Sequence, residues 1–327
     1  MSQVAFIVSV LTVAGIYALL TLGLNVQWGE TGLLNFGHVA FFAVGAYTSA
    51  LVTVAPPGEM QSYVFGFGLP IPVGIVAACL AAGVVAVVIG YPTLQLREDY
   101  LAMVSIGLAE ILRYVFINEK WLTGGASGIY GIPQPLTGTV PTSMSNYVFL
   151  AIVGAGLAAC YAYAQRLSHS PFGRVLRAIR EDADVARAVG VDTFSYRMQA
   201  FVIGAMIAGF AGALWAHYAT ALTPMAFEPS ITFLTWVALI VGGSGNPRGA
   251  VVGAFLIIGF RELTRYLPDV NGLTEVLPSL RLILVGVLVI AIVRYRPEGL
   301  LPERHLSHDD YAQRVRSGRA TTEGEES

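Results

Sequence analysis

Apolar positions fill long stretches of this chain, and polar positions collect in the short segments between them. A membrane-spanning helix needs about 20 mostly apolar residues. The candidate spans are Val4–Leu24, His38–Val54, Pro70–Gly90, Tyr100–Ile117, Tyr147–Gln165, Met198–His217, Ile231–Gly243, Gly249–Leu263 and Leu282–Val293. Several are short, so broken or re-entrant helices are expected and the count is about eight to ten. Backbone groups in lipid must bond within their own helix, which predicts an all-α, polytopic transmembrane helix bundle.

The composition supports lipid as the main solvent. Hydrophobic residues make up 55% of the 327 positions and charged residues only 12%, against about 25% charged residues in soluble domains. The net charge of −2 gives no reason to expect a nucleic-acid partner. Cys79 and Cys160 fall in apolar stretches and are expected to be buried structural thiols. The first apolar run lacks a basic leader and a cleavage site, so it is interpreted as a span and not a signal peptide.

One segment, 166–197, breaks the apolar pattern and is expected to lie outside the membrane. It carries seven charges within Arg174–Arg187, and inserting all of them would cost on the order of 20 kcal/mol at about 3 kcal/mol each. Apolar residues nevertheless recur there at helical spacing, which predicts an amphipathic helix. These are Phe172, Val175, Leu176, Ile179, Ala183 and Ala186. Such a helix either docks on a cytoplasmic partner or is a surface helix that ties two spans together.

Local signals set the limits of this helix. Ser170 is suited to cap its N-terminus and Pro171 to occupy its first position. Gly190 is suited to a left-handed stop, and Asp192 or Thr193 can cap the next helix. Two pairs spaced i,i+4, Arg177–Glu181 and Arg180–Asp184, are expected to interact on the solvated face.

Arginine placement predicts the orientation. Six arginines lie in 166–197 and more follow Arg294, so both regions are assigned to the cytoplasm. With nine spans the N-terminus then faces outward. Residues 1–303 are predicted to form the membrane domain, with 166–197 as its cytoplasmic loop, and the polar tail 304–327 is predicted to be disordered in the cytoplasm.

Two glycine-rich breaks each leave two interpretations open. The run from Gly242 to Gly249 is either a tight cytoplasmic turn or a broken helix that lines a solute path, with helix ends able to hold a charged group. The run Leu122–Pro133 is assigned to the external face, where it either meets an external protein or simply connects two elements.

Several polar residues lie at or near lipid depth and are candidates for a solute path. Such groups usually face the bundle interior, although they also serve as caps and interhelical hydrogen-bonding groups. Glu110 and Arg113, spaced i,i+3, are expected to form a neutralising structural pair, with a substrate contact as the alternative. Glu30 belongs to the same polar group. The path candidates are Asn25, Asn35, His38, Glu110, Gly242 and Gly243.

Motifs along the whole chain resemble one family, the branched-chain amino acid ABC permeases of LivM type. The residues Asp184-Val185-Ala186, followed after three residues by Gly190, resemble the EAA-x-x-x-G loop of ABC importer permeases. The stretches that carry the closer resemblance are LLNFGHVAFFAVGAY (Leu33–Tyr47), TLQLREDYLAMVSIGLAEILR (Thr93–Arg113), LTGGASGIYGIP (Leu122–Pro133), ALIVGGSGNPRGAVVGA (Ala238–Ala254) and RPEGLL (Arg296–Leu301).

The resemblance implies a permease subunit of an ATP-driven importer in a prokaryotic plasma membrane. It implies a second permease subunit in a heterodimer, two ATP-binding subunits and an external substrate-binding protein. Branched-chain or other hydrophobic amino acids are the implied substrates, with urea or short amides as an alternative and a stand-alone secondary transporter as a further one. The implied ATPase-docking residues are Phe172, Val175, Leu176, Ile179, Glu181, Asp184, Ala186 and Gly190.

Catalytic chemistry is not indicated by the residues. A phosphate-binding loop needs G-x-x-x-x-G-K-[ST], and the single lysine, Lys120, lies between Glu119 and Trp121. We therefore expect ATP to be bound by partner subunits and no cofactor by this chain. Neither a nucleophile with a base nor a metal-type cluster is found, so an intramembrane enzyme is not expected.

Overall fold

The computed structural model describes residues 3–56, 63–96, 98–135, 141–264 and 294–303, and a few positions between 283 and 292. The described helices are α1 (Gln3–Leu24), α2 (His38–Thr53), α3 (Ile71–Thr93), α4 (Glu98–Asn118), α5 (Lys120–Thr123), α6 (Thr142–His169), α7 (Pro171–Glu181), α8 (Ala183–Ala188), α9 (Thr193–Ala219), α10 (Pro229–Gly242) and α11 (Pro247–Thr264). The strands β1 (Ile129–Tyr130) and β2 (Ala221–Leu222) pair antiparallel.

The predicted all-α membrane bundle is confirmed. Among the described residues, six helical segments are long and apolar enough to cross a membrane, and α2 is apolar but only 16 residues long. Eight of the nine predicted spans match α1–α4, α6 and α9–α11. The ninth, Leu282–Val293, lies largely outside the described residues, as does the tail 304–327.

Helix α2 lies at the centre of the bundle. It packs against α3 and α9 and is buried along nearly its whole length. Glycines allow this close approach: a Cβ on Gly45 would lie 2.2 Å from the carbonyl oxygen of Gly209, and one on Gly212 would lie 2.0 Å from that of Phe42. Small residues at crossing points are the usual means by which membrane helices gain van der Waals contact.

The connections give the bundle two distinct ends. Helices α7 and α8 lie at one end, between the C-terminus of α6 and the N-terminus of α9, and we call it the cytoplasmic end. The β1–β2 pair lies at the other end, after α4 and α9, and we call it the external end. There His217 bridges two elements, with Nε2 3.0 Å from the Ser49 hydroxyl and Nδ1 2.8 Å from the Pro133 carbonyl.

Candidate coupling site at the cytoplasmic end

Helix α7 begins as the sequence predicts. The Ser170 hydroxyl accepts a hydrogen bond from the Gly173 amide at 3.2 Å, and Pro171 is the first helical residue. Its apolar face is turned toward the spans, where Leu176 packs with Val26 and Ala200, and Leu176 is fully buried. Helix α7 is therefore held by the chain's own core, and not only by its two flanking connections.

This packing corrects the expectation that the apolar face of α7 contacts a partner. Leu176 and Ile179 are buried at 0% and 1% exposure within this chain. Phe172 is half-buried and stacks on Tyr196 of α9 with ring centroids 5.4 Å apart, and Val175 is also half-buried. An amphipathic helix on a membrane domain must bury its apolar face somewhere, and here the spans themselves supply the surface.

The predicted i,i+4 ion pairs of α7 are wrong, because Arg177 and Arg180 reach inward. Arg177 Nη1 lies 3.0 Å from Glu30 Oε2 and donates to the Ser168 carbonyl at 2.8 Å. Arg180 donates to the Gly29 carbonyl and lies 2.7 Å from Glu303 Oε2. These contacts replace the pairs expected with Glu181 and Asp184, both of which are exposed.

The Glu30 carboxylate is the centre of this polar cluster. It is fully buried just after the helical extension of α1, a π-helical turn at Asn25–Gly29. It accepts a hydrogen bond from the Ser168 hydroxyl and is paired with Arg177. Burial raises the pKa of Glu30 above its ordinary value, outweighing the lowering by Ser168 and Arg177, and the nearby Glu303 raises it further. One acidic group thus links α1, α6 and α7.

The C-terminal segment 294–303 completes the cluster. Its backbone bonds to the end of α10, from Leu300 to Val241 and from Leu301 to Gly242, each at 2.9 Å. Its Glu303 then pairs with Arg180, with Arg177 Nε 3.8 Å away. Three stretches that are remote in sequence therefore meet around α7. They are Gly29–Gly32, Gly242–Pro247 and Arg296–Glu303.

Helix α8 differs from α7 in having little burial. Asp182 caps it by accepting from the amides of Asp184 and Val185, both at 2.9 Å. Ala186 is buried, but Val185 and Val189 are 59% and 75% exposed. Gly190 then adopts a left-handed φ of 90°, as predicted for a stop.

The start of α9 also follows the sequence signal. Asp192 accepts from the Ser195 amide at 3.2 Å. Hydrogen bonds from the Ser195 side chain and, secondly, from its amide lower the pKa of Asp192 below its ordinary value. Among the remaining predicted docking residues, Glu181, Asp184 and Gly190 are exposed. Together with Val185 and Val189 they form the outward surface of the segment, which we call the α8 surface.

The path candidates Asn25, Asn35 and His38, which lie between the end of α1 and the start of α2, all face the bundle interior. Asn35 donates to Gln27 Oε1 at 2.8 Å and its own Oδ1 accepts from the Gly37 amide. His38 Nε2 lies 3.1 Å from the Leu20 carbonyl, and Asn25 Oδ1 accepts from the Gly245 amide at 2.9 Å. These contacts are those of interhelical hydrogen-bonding groups, which was one of the two interpretations of the sequence.

The remaining candidates lie in two places. Glu110 and Arg113 form the expected pair, 2.8 Å apart on α4. Gly242 is the last residue of α10 and Gly243 begins the turn to α11. A Cβ on Gly242 would lie 1.9 Å from the Gly249 carbonyl oxygen, and one on Gly243 would lie 2.4 Å from that of Leu301. Their tight packing favours the cytoplasmic-turn interpretation over a broken helix.

Ser168, Arg177, Arg180 and Glu303 were not identified from the sequence as site residues. The available signal was Glu30, because a buried carboxylate requires a cationic or hydrogen-bonding partner. Its partners, Ser168 and Arg177, lie 138 and 147 residues away from it in the chain, and periodicity within α7 could not identify which arginine would pair with it. Helical spacing instead suggested local partners one turn away.

The comparisons with known proteins all point to the same family of transport permeases. The family described as "Branched-chain amino acid transport system / permease component" matches residues 6–293. The high-affinity branched-chain amino acid transport system permease protein LivM of Escherichia coli (strain K12) is 33% identical over 318 residues, covering 90% of this chain and 70% of that protein. The probable LivM of Methanocaldococcus jannaschii is 28% identical, over 89% of this chain and 91% of its own.

A second group of relatives carries a different subunit name. The high-affinity branched-chain amino acid transport system permease protein LivH of Escherichia coli (strain K12) is 26% identical over 263 residues, covering 77% of this chain and 82% of that protein. No solved structure matches this chain.

Proposed function

Because the chain belongs to the branched-chain amino acid transport permease family, we propose that it is a membrane-spanning subunit of an ATP-driven importer in the plasma membrane of its cell. In this proposal it takes branched-chain or other hydrophobic amino acids from an external binding protein. Two separate subunits bind and hydrolyse ATP, and the chain itself needs no cofactor. A second permease subunit completes the path, consistent with relatives named both LivM and LivH.

The observation that carries the ATP-driven part is the contrast between an anchored α7 and an exposed α8. Helix α7 is fixed to α1 and α9 by buried apolar contacts and by the Glu30–Arg177 pair. The α8 surface exposes Val185 and Val189, and exposed apolar side chains one helical turn apart form the kind of patch that marks a contact with another protein. A force applied to α8 would reach the spans through α7.

The same arrangement supports the alternatives less well. A stand-alone secondary transporter has no need of a structured helix that leaves the membrane and exposes valines to water. A plain connection between α6 and α9 would not require buried contacts to α1 and to segment 294–303.

The test is uptake by the reconstituted system. The chain is co-expressed with the products of neighbouring permease, ATPase and binding-protein genes, purified, and placed in liposomes loaded with ATP. We expect uptake of radiolabelled leucine that requires internal ATP and external binding protein and persists with a proton or sodium ionophore. The chain purified alone is the control and should hydrolyse no ATP.

Two results would contradict the proposal. One is concentrative uptake by the chain alone that collapses with an ionophore, which would make it a secondary transporter. The other is ATP-dependent uptake of urea or acetamide with none of leucine, isoleucine or valine, which would leave the mechanism intact and change the substrate.

A further inference from the structure

A non-helical segment of the chain lies at membrane depth. After Glu30 the chain turns back into the bundle as Thr31–Gly37, which we call the re-entrant segment, before α2 begins. The Asn35 carbonyl accepts from Trp236 Nε1 at 3.2 Å, and the Val39 amide donates to Thr232 Oγ1 at 3.0 Å. Both partners are on α10, whose last residue, Gly242, is at the cytoplasmic end.

The depth of the re-entrant segment in the membrane follows from the position of its partners along α10. Trp236 and Thr232 precede Gly242 by six and ten residues, which at about 1.5 Å per residue places them about 9 Å and about 15 Å from the cytoplasmic end. The hydrocarbon core of a bilayer is about 30 Å thick. The re-entrant segment therefore ends near the middle of the membrane.

Irregular backbone at this depth is tolerated only where protein covers it or where it lines a water-filled cavity. One side of the segment is covered, since Leu33 and Asn35 are buried. The other side is not: Phe36 is half-buried and its ring lies 5.6 Å from that of Phe233, which is 48% exposed on the surface of α10. This side exposes aromatic rings, and the charges beside it decide between lipid and a water-filled path.

A charged group on the adjacent helix leads independently to the same face. Helix α4 contacts the re-entrant segment through Ser105, whose hydroxyl accepts from the Phe36 amide at 3.0 Å. Further along α4 the Glu110–Arg113 pair keeps 29% and 16% side-chain exposure, and Arg113 reaches Met225 Sδ at 3.5 Å, just before α10. Partly exposed charges within a span are costly in lipid and usually face a cavity.

The opposite kind of surface is found on α3. Its outward residues Val76, Val84 and Val88 are 59%, 63% and 67% exposed. Aliphatic side chains of this type are what a lipid-facing helix presents. Helix α4 also exposes Met103 and Ile111, at 66% and 58%, but unlike α3 it carries the Glu110–Arg113 pair on its surface.

We propose that the face formed by the re-entrant segment, α4 and the start of α10 lines the translocation path. The second permease chain would cover it from the other side of the path. A zwitterionic amino acid would pass with its carboxylate toward Arg113, its ammonium toward Glu110 and the exposed Glu228, and its side chain against Met225 and Phe233. This inference rests on the proposed importer function and assigns its path.

The experiment measures water access with single cysteines. Cys79 and Cys160 are first replaced by alanine, which gives a chain without cysteine. Phe233→Cys and the matched control Val84→Cys are then introduced and the full complex is reconstituted. A membrane-impermeant, cationic methanethiosulfonate reagent reacts with the thiolate, which forms in water and not in lipid, so Phe233→Cys should react at least about tenfold faster than Val84→Cys.

Leucine with its binding protein, in the presence of ATP, should slow the reaction of Phe233→Cys several-fold, because the substrate occupies the same space. A reaction at Phe233→Cys no faster than at Val84→Cys would overturn the assignment. The cysteine-free complex separates this outcome from a failure of the proposed function. If that complex takes up leucine with ATP while Phe233→Cys stays unreactive, only the path is wrong.

A second variant tests whether the charges of Glu110 and Arg113 contact the substrate. Glu110→Gln with Arg113→Gln removes both charges together, so no unpaired charge is left in the span. A contact made with the passing zwitterion predicts a loss of maximal uptake rate of about tenfold or more at unchanged yield of the complex. A purely structural pair predicts uptake within about twofold of the parent, and that result would overturn the role given to Arg113.

Discussion

Helices α7 and α8 are consecutive in the chain, have similar charge density, and are held in opposite ways. Helix α7 buries Leu176 and Ile179 in the bundle and turns its arginines to the buried Glu30 and to Glu303. Helix α8 is held by its cap and by an exposed Asp184–Arg187 pair of 3.2 Å. One helix is thus part of the membrane domain, and the other is an appendage at its surface.

The difference shows where the two requirements of a mechanical link are met. A link must be stiff toward the element that it moves, and burial of apolar and paired groups supplies this at α7. It must also present a surface that another protein can bind, and the exposed valines supply this at α8. Substitutions in α7 are therefore expected to affect stability and transport together, and those in α8 to affect partner binding alone.

The largest effect is expected for Leu176→Ala. Removing a fully buried leucine costs about 2–5 kcal/mol through lost burial and the remaining cavity. The unfolding midpoint of the purified chain in detergent should fall clearly, and uptake should fall with it. Val189→Ala is the matched control, since a surface substitution changes stability by about 0.5 kcal/mol or less. Equal midpoints for the two variants would remove the distinction between α7 and α8.

The next effect is expected for Glu30→Leu. Leucine is similar in size but leaves Arg177 and the Ser168 hydroxyl without their buried acceptor. Because Arg177 retains 28% side-chain exposure, water can replace part of the lost interaction, and the expected loss is about 1–3 kcal/mol. Glu181→Leu on the exposed side of α7 is the control and should leave the midpoint unchanged. An unaltered midpoint in Glu30→Leu would show that the cluster does not hold α7.

A smaller effect is expected in the pH dependence of the free energy of unfolding when Glu30→Gln is compared with the parent. This comparison tests whether burial or ion pairing dominates at Glu30. The pKa of Glu30 is raised in the folded state, so the native protein takes up this proton more readily than the unfolded chain does. Its contribution to stability is therefore full below the ordinary glutamate pKa and is lost as pH rises through the folded value. The stability of the parent minus that of Glu30→Gln should increase as pH is lowered from 7 toward 5.

Titrating groups that do not interact with Glu30 are common to both proteins and cancel in this difference. Asp192, for example, caps α9 in both, and its lowered pKa contributes equally. A difference that stays flat with pH, or increases toward alkaline pH, would mean that ion pairing with Arg177 outweighs burial at Glu30.

Sequence reasoning predicted the elements of this region well and their partners poorly. The cap at Ser170, the stop at Gly190 and the cap at Asp192 depend on neighbours a few residues away, and each is found where it was expected. The contacts of Arg177 and Arg180 depend on Glu30 and Glu303, which are more than a hundred residues away in the chain. Local periodicity carries no information about such pairs.

The same limit explains the assignment of the apolar face of α7. Helical spacing identified Leu176 and Ile179 as one face, but it could not distinguish burial against the spans from burial against another subunit. The π-helical turn at Asn25–Gly29 and the return of Thr31–Gly37 into the bundle could not be predicted from the sequence either. The sequence signalled them only as polar residues next to an apolar run, which is compatible with an ordinary turn between spans.

The smallest effect on stability, and the most specific effect on function, is expected for Val185→Ser with Val189→Ser. Both side chains are largely in water, so the midpoint should change by about 0.5 kcal/mol or less. If the α8 surface binds the ATPase subunits, the amount of ATPase that co-purifies should fall several-fold, since each serine would bury a hydroxyl without a partner at a cost of about 1–3 kcal/mol. Ala178→Ser, on the exposed side of α7, is the control. Normal co-purification with normal coupling of hydrolysis to uptake would show that α8 is not the contact. Any ATP-driven role would then have to act through another surface at the cytoplasmic end.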